Sequence, residues 1–526
     1  MPTWLKVSFS PMLKNANVPD GGELRHCRDD PAQGNDSPEE YRTPVDPAQN
    51  GASSEPQDLI PLRSRTFIAA EDIEVFPFHT LRRPQILLSL VAVSSLLACL
   101  PVRQPPSAGE PASGSAKVLF VAPDGNDSNP GTRDAPFQTI SAAAARATAG
   151  DIVRVRAGTY PEAVWVAGEG SREQPIVFEA EVPGSVTITG EAGGFAPEQW
   201  AGDHDSYAQS GNRWVTLRGF VFSGISDRPA VRAATGWRIE DCLFEKLSLG
   251  ISIRGHMVIV TRSIFQDIDS PDAHALVAYG ARNLRLTDLL IQRVNQQRLI
   301  KAIANSAVVK LLDTEGLLIE RVVSRDNVGP GLWLDYNNRN FVIRQNYLSG
   351  NRGDRHAWEG PGLWVEINAS ANGQIYENTI TDNSGAGIEI MESSNIDVYN
   401  NTLLNNDICI ALRNMNRGAE NQLRDIRIHS NLCGEPRRAG IVTGIGEWAG
   451  WDAASRQIVV ENGVYLMPPE VPILWWLGEK VMTLQEATVE LGLEANGVAH
   501  LADAPRNEAR SPAPEQPGHN REVDTN

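Results

Sequence analysis

Two stretches of the chain, GPGLWLDYNN from Gly329 and GPGLWVEINA from Gly360, place a tryptophan and a carboxylate two residues apart in an apolar run. They hold Trp333 with Asp335 and Trp364 with Glu366. A related run, GIEIM from Gly387, carries Glu389, and VVKLL from Val308 carries Lys310. Indoles stack on the apolar faces of sugars, while carboxylates bind hydroxyls, move protons or hold a cation. On adjacent strands, about 5 Å apart, Asp335 and Glu366 would repel. One then takes a proton, a cation neutralises the pair, or the two splay. Protonation suits a glycosidase: Asp335 with Glu366 matches a retaining separation of about 5–5.5 Å, and Asp335 with Glu389 an inverting one. The alternative is Ca²⁺ held by Asp335, Glu366 and Glu389, with Asn337 or Asn368 as neutral oxygen ligands.

Such chemistry needs the runs stacked in register, and the chain supplies a repeat. It reads FVIRQNYLSGN from Phe341, GQIYENTITDN from Gly373, IDVYNNTLLNN from Ile396 and DIRIHSNLCG from Asp425. Asparagine recurs at Asn346, Asn378, Asn401 and Asn431, and again five residues on at Asn351, Asn383 and Asn406. Earlier units, from WVTLRGFVFSG at Trp214 to GLLIERVVSRD at Gly316, follow the plan more loosely. Each unit is a set of short alternating apolar runs between Gly/Asn/Asp turns, without helical periodicity. The fold class this predicts is all-β, a right-handed parallel β-helix solenoid. Its aligned asparagines form internal amide ladders, a structural rather than a catalytic role.

In the strand before the asparagine-bearing one, period-two alternation points Leu332, Leu334, Leu363, Val365, Ile388 and Ile390 inward. Two outward columns follow. One holds Ser252, Val277, Lys310, Trp333, Trp364, Glu389 and Cys409; its neighbour holds Arg254, Tyr279, Leu312, Asp335, Glu366, Met391 and Ala411. This reading makes Trp333 and Trp364 an exposed sugar-binding pair, unless the flanking inserts Arg352–Pro361 and Gln296–Ser306 bury them.

The segment VLFVAPDGNDSNPGTRDAPFQTISAAAARATAGDIVRVRAGTYPEAVWV, from Val118 to Val166, resembles the entry module of pectin-lyase-like parallel β-helix proteins. The resemblance extends over about residues 117–500 and implies a short N-terminal capping helix after Thr139 and a small C-terminal helical cap. It also implies an activity on polysaccharide, as lyase or glycoside hydrolase. In the lyase version Ca²⁺ and carboxylates neutralise a uronate, Lys310 removes its proton and Arg254 clamps the substrate. The insert NRGDRHAWEGPG beside this face adds His356, a candidate acid or base, and Trp358, both as substrate-binding candidates. The competing reading is a non-catalytic glycan-binding or scaffold β-helix lipoprotein. Copper delivery is disfavoured by the lack of Met/His clusters.

A formal charge of −18 argues against nucleic acid as a partner. The expected partner is a polysaccharide or glycan, bound by a monomer. Cys27, Cys99, Cys242, Cys409 and Cys433 show neither zinc spacing nor a disulfide framework, so Cys242 and Cys409 read as small core residues. Cys99 differs, because LRRPQILLSLVAVSSLLAC has the basic start and apolar core of a secretory signal. Its LLAC ending resembles a lipobox, which implies a lipid on Cys99 as the only membrane attachment, and an envelope or extracellular location. The expected layout is an extension over 1–80, disordered or upstream of a true start near Val75 or Leu81, and a signal over 81–99. A flexible linker over 100–116, the β-helix over 117–465, a cap over 466–500 and a disordered tail over 501–526 follow.

Overall fold

Each turn of the chain contributes one strand to each of three faces, and the faces stack into three sheets of 13 strands. The computed structural model describes residues 116–198, 213–271, 273–299, 308–353, 359–415, 417–418, 421–446 and 456–501, all within one unit. Cys99, His356 and Trp358 lie outside the described residues. In chain order, the first sheet includes Val342–Arg344 and Gly373–Tyr376, and the second includes Tyr347–Ser349 and Thr379–Thr381. The third includes Leu332–Leu334, Leu363–Glu366 and Ala386–Met391. The named strand pairs are parallel, apart from the terminal hairpin of Leu474–Trp476 with Glu479–Val481. The chain is a right-handed parallel β-helix.

The interior changes character along the axis. In the early coils Phe222, Phe244 and Phe265 stack face to face, with centroids 4.8 and 4.5 Å apart. Further on, asparagines take over. Oδ1 of Asn378 accepts from Nδ2 of Asn346 at 2.9 Å, and Asn401 and Asn431 repeat the contact, also at 2.9 Å. The Asn351–Asn383–Asn406 series does the same at 2.9 and 3.0 Å. This second ladder explains the second glycine of each GPGLW stretch. A Cβ on Gly331 would lie 2.7 Å from Nδ2 of Asn351, and one on Gly362 would lie 2.9 Å from Nδ2 of Asn383.

Of the turns from first to second sheet, those at Gly219, Asp241, Asp288 and Asn400 meet the Gly/Asn/Asp expectation and others depart from it. Arg262, Arg321, Gln345 and Glu377 occupy the left-handed region there, with φ of 46°, 52°, 56° and 56°. Beside Gln345 and Glu377, the ladder residues Asn346 and Asn378 bind back into the core, and this offsets the strain of a side chain at positive φ.

The ends are covered as the resemblance implied. Helix α1 (Ile140–Ala144), capped by Thr139, packs on the first coil, and helix α2 (Leu484–Leu491) closes the other end with a capping box between Thr483 and Glu486.

Cys409 is not outward-facing and not free. It is bonded to Cys433 across the core, joining Ile408–Asn414 of the third sheet to Leu432–Gly434 of the second on the following coil. Their separation of 24 residues is close to one coil, and closing a loop of that size stabilises by about 3 kcal/mol. Replacing both cysteines by alanine should therefore lower the urea midpoint, and reductant should lower that of the wild type. A midpoint indifferent to both would show that the two sulfurs are not joined. Cys242 remains a free, buried thiol, and burial pushes its pKa up to about 12.

Candidate functional site

The outer face of the third sheet assembles the residues named from the sequence. Lys310, Trp333, Trp364 and Glu389 are successive register partners, and Glu366 pairs with Met391 in the adjoining column. Beyond Glu389 the expected alignment fails by two residues: its partner is Ala411, and that of Met391 is Arg413. Keeping the isoleucines of GIEIM and ICIALR in line would have found this, because Ile388 pairs with Ile410.

The tryptophans point outward from the sheet yet are buried, each 3% exposed. Their rings lie 4.5 Å apart and nearly parallel at 6°. Nζ of Lys310 sits 3.8 Å from the Trp333 centroid on the same stack, so one indole faces its twin and an ammonium. A sugar needs an open ring face. The expectation of an exposed stacking pair is therefore overturned: with Met391 the two rings form a small apolar cluster.

The carboxylates are equally engaged. Asp335 pairs with Nζ of Lys310 at 3.1 Å, and Glu389 accepts from Nη1 of Arg413 at 2.7 Å. Glu366 accepts from Nε1 of Trp333 at 3.0 Å and from Nη1 of Arg417 at 2.7 Å. Burial, then the nearby Asp335 carboxylate, raises the pKa of Glu366 against the pull of Arg417. Burial likewise raises that of Glu389 against Arg413. Asp335 keeps more contact with solvent, its side chain 19% exposed against 8% for Glu366.

Arg413 and Arg417 escaped the sequence reading. Arg417 belongs to the segment after Ile408–Asn414 and is fixed by Glu392, a fully buried carboxylate bonded to Nε of Arg417. Glu392 also accepts the backbone N–H groups of Met415 and Arg417 at 3.0 and 2.7 Å. The only available signal was the RNMNRG run after a strand, which carries no spacing rule.

Lys310 is buried and paired rather than solvated. Arg254 does not reach the cluster. Three strands stand between its own and that of Glu366, and its guanidinium lies 4.7 Å from the Tyr279 ring centroid. A Ca²⁺ site at Asp335, Glu366 and Glu389 does not fit either. Each of these acids is matched to a basic side chain, and among the described residues no three acidic, histidine or cysteine groups converge to hold a cation.

A family model described as a right-handed β-helix region matches residues 211–403 and 356–449, and a family of unknown function (DUF1565) matches 123–211. Over 107 residues the chain is 39% identical to the uncharacterized protein YwoF of Bacillus subtilis, covering 20% of this chain and 22% of that one. Over 78 residues it is 40% identical to the pectate lyase PEL9 of Emericella nidulans, covering 14% and 19%. The matches thus span about a fifth of these relatives' length. A solved complex of XylC with xylose superposes with a TM-score of 0.50 at 13% identity, covering 73% of this chain and 86% of that one. What is shared is a fold. Function has to be argued from the site.

Proposed function

We propose that the chain is an exported β-helix protein that acts on polysaccharide, by glycoside hydrolysis rather than lyase elimination. The observation that carries this reading is the pair Asp335 and Glu366. They occupy consecutive coils of one sheet in unequal surroundings, one partly exposed beside an ammonium, the other buried with a raised pKa. Two carboxyl groups held apart in this way are the acid and base that glycosidic cleavage needs. The lyase version is supported less well, because Lys310 is tied to Asp335 and Trp333 and the acids do not form a Ca²⁺ cage. The short match to a pectate lyase supports a carbohydrate substrate in general terms. Export is supported by the Cys409–Cys433 disulfide, which persists in oxidising compartments, and the lipid on Cys99 rests on the LLAC sequence alone.

The test is a polysaccharide panel with the full chain, with and without chelator, following reducing ends and the ultraviolet absorbance of unsaturated uronate. Reducing ends without unsaturation, indifferent to chelator, are expected. Unsaturated product would overturn the hydrolytic reading. The second reading, a non-catalytic glycan-binding scaffold, is favoured by the closure of every carboxylate into an ion pair, and it expects binding without turnover on any polymer.

A further inference from the structure

On the third sheet each coil repeats the last, displaced by one strand. Nε1 of Trp333 donates to Glu366, which sits one coil further on. The next coil carries Trp364 in the place of Trp333 and Met391 in the place of Glu366. The repeat thus continues with a thioether where the carboxylate stood. Trp364 packs in one cluster with Met391, and its buried Nε1 has no acceptor. Met391 meets another donor on its sulfur: Nη2 of Arg417 contacts Sδ of Met391 at 2.9 Å. Thioether sulfur is a weak acceptor, so Nη2 of Arg417 is poorly served there, while Nε1 of Trp364 is not served at all. Methionine is also the most adaptable of apolar side chains and can move aside without disturbing a strand.

The charge balance indicates what kind of oxygen would suit these donors. Around Met391 the described acids are Asp335, Glu366, Glu389 and Glu392, against the bases Lys310, Arg413 and Arg417. Each base already serves at least one acid, and with Glu366 protonated, as the hydrolytic reading has it, the other three acids match the three bases. A further anion would meet no unspent positive charge, whereas an uncharged oxygen costs nothing in repulsion. Arg417 offers a way in, its side chain being 39% exposed against 8% for Lys310.

We propose that Met391 covers a two-donor subsite, formed by Nε1 of Trp364 and Nη2 of Arg417, that takes an uncharged oxygen of a neutral sugar in preference to a uronate. This rests on the polysaccharide reading above and deepens it by naming the sugar class. The displaced thioether is replaced by a hydroxyl or acyl oxygen, and no covalent step is involved.

The experiment follows the indole N–H resonances of the full ¹⁵N-labelled chain, with Trp333 and Trp364 assigned through Trp333→Phe and Trp364→Phe. The probes are xylohexaose, cellohexaose and tri-galacturonate. A neutral oligosaccharide should move the Trp364 resonance and leave that of Trp333, already bonded to Glu366, in place. Binding should change less than about threefold between low and physiological salt, as expected for an uncharged ligand. Met391→Gln, which supplies its own neutral acceptor, should weaken binding at least tenfold. Tighter binding of tri-galacturonate, an unmoved Trp364 resonance on saturation, or no binding of either neutral probe would overturn the subsite. Turnover on the panel with Trp364 unmoved would sink this inference alone. Neither binding nor turnover on any glycan would sink both.

Discussion

Replacing Asn378 by alanine should cost about 3–5 kcal/mol of stability, one of the largest effects available to a single substitution outside the apolar core. Oδ1 of Asn378 accepts from the backbone N–H and Nδ2 of Asn346, at 3.1 and 2.9 Å. Its Nδ2 donates to the Ile343 carbonyl at 3.0 Å and to Oδ1 of Asn401 at 2.9 Å. Alanine removes all four bonds and strands buried partners on two coils, where water cannot replace them. Asn378→Asp separates hydrogen bonding from packing, since it keeps the shape but turns a donor into an acceptor facing two other oxygens. We expect it to be at least as damaging as alanine at neutral pH. Urea unfolding measures both, and hydrogen exchange at the Asn346 amide should accelerate with them. An aspartate variant as stable as the wild type would show that the ladder contributes by shape alone.

That ladder was also the most legible feature of the sequence, and the reason is physical. A buried amide repeated once per coil has to meet its own copy, so Asn346, Asn378, Asn401 and Asn431 had to recur at equivalent positions. Alternation of period two likewise assigned Leu332, Leu363 and Ile388 to the core. It could not tell what covers the other side of a strand, which is why Trp333 and Trp364 read as exposed when they are buried. Turns at Arg262, Arg321, Gln345 and Glu377 were hidden because their left-handed backbone is enforced by neighbouring coils rather than by residue type. Arg417 was hidden for a related reason: its place is set by Glu392, 25 residues earlier and one coil away. Cys409 and Cys433 sit one coil apart, a spacing that becomes informative only once the coil length is known.

Glu366→Gln should reduce turnover on any polysaccharide the chain cleaves by about 10²–10⁴-fold, the range of a single general acid or base. Nε1 of Trp333 and Nη1 of Arg417 bond different oxygens of Glu366, so glutamine keeps an acceptor for one and turns its NH₂ toward the other; the fold should survive at reduced stability and glycan binding should persist. The pH dependence separates a catalytic from a structural role. Because burial and Asp335 raise the pKa of Glu366 in the folded chain, the native state holds this proton more tightly than the unfolded one. Its contribution to stability is therefore fully present below the ordinary glutamate value of 4.5 and is lost as pH rises through the elevated native value. In Glu366→Gln that slope should flatten, leaving the similar but separate slope from Glu389. A general acid works only while protonated, so wild-type kcat/KM should fall over the same interval. The variant's residual activity should lack that limb. If Glu366→Gln turns over substrate normally while its stability profile flattens, Glu366 is a buried structural acid and the catalytic proton must come from elsewhere. If activity and the alkaline limb disappear together, the buried member of the Asp335–Glu366 pair is the acid.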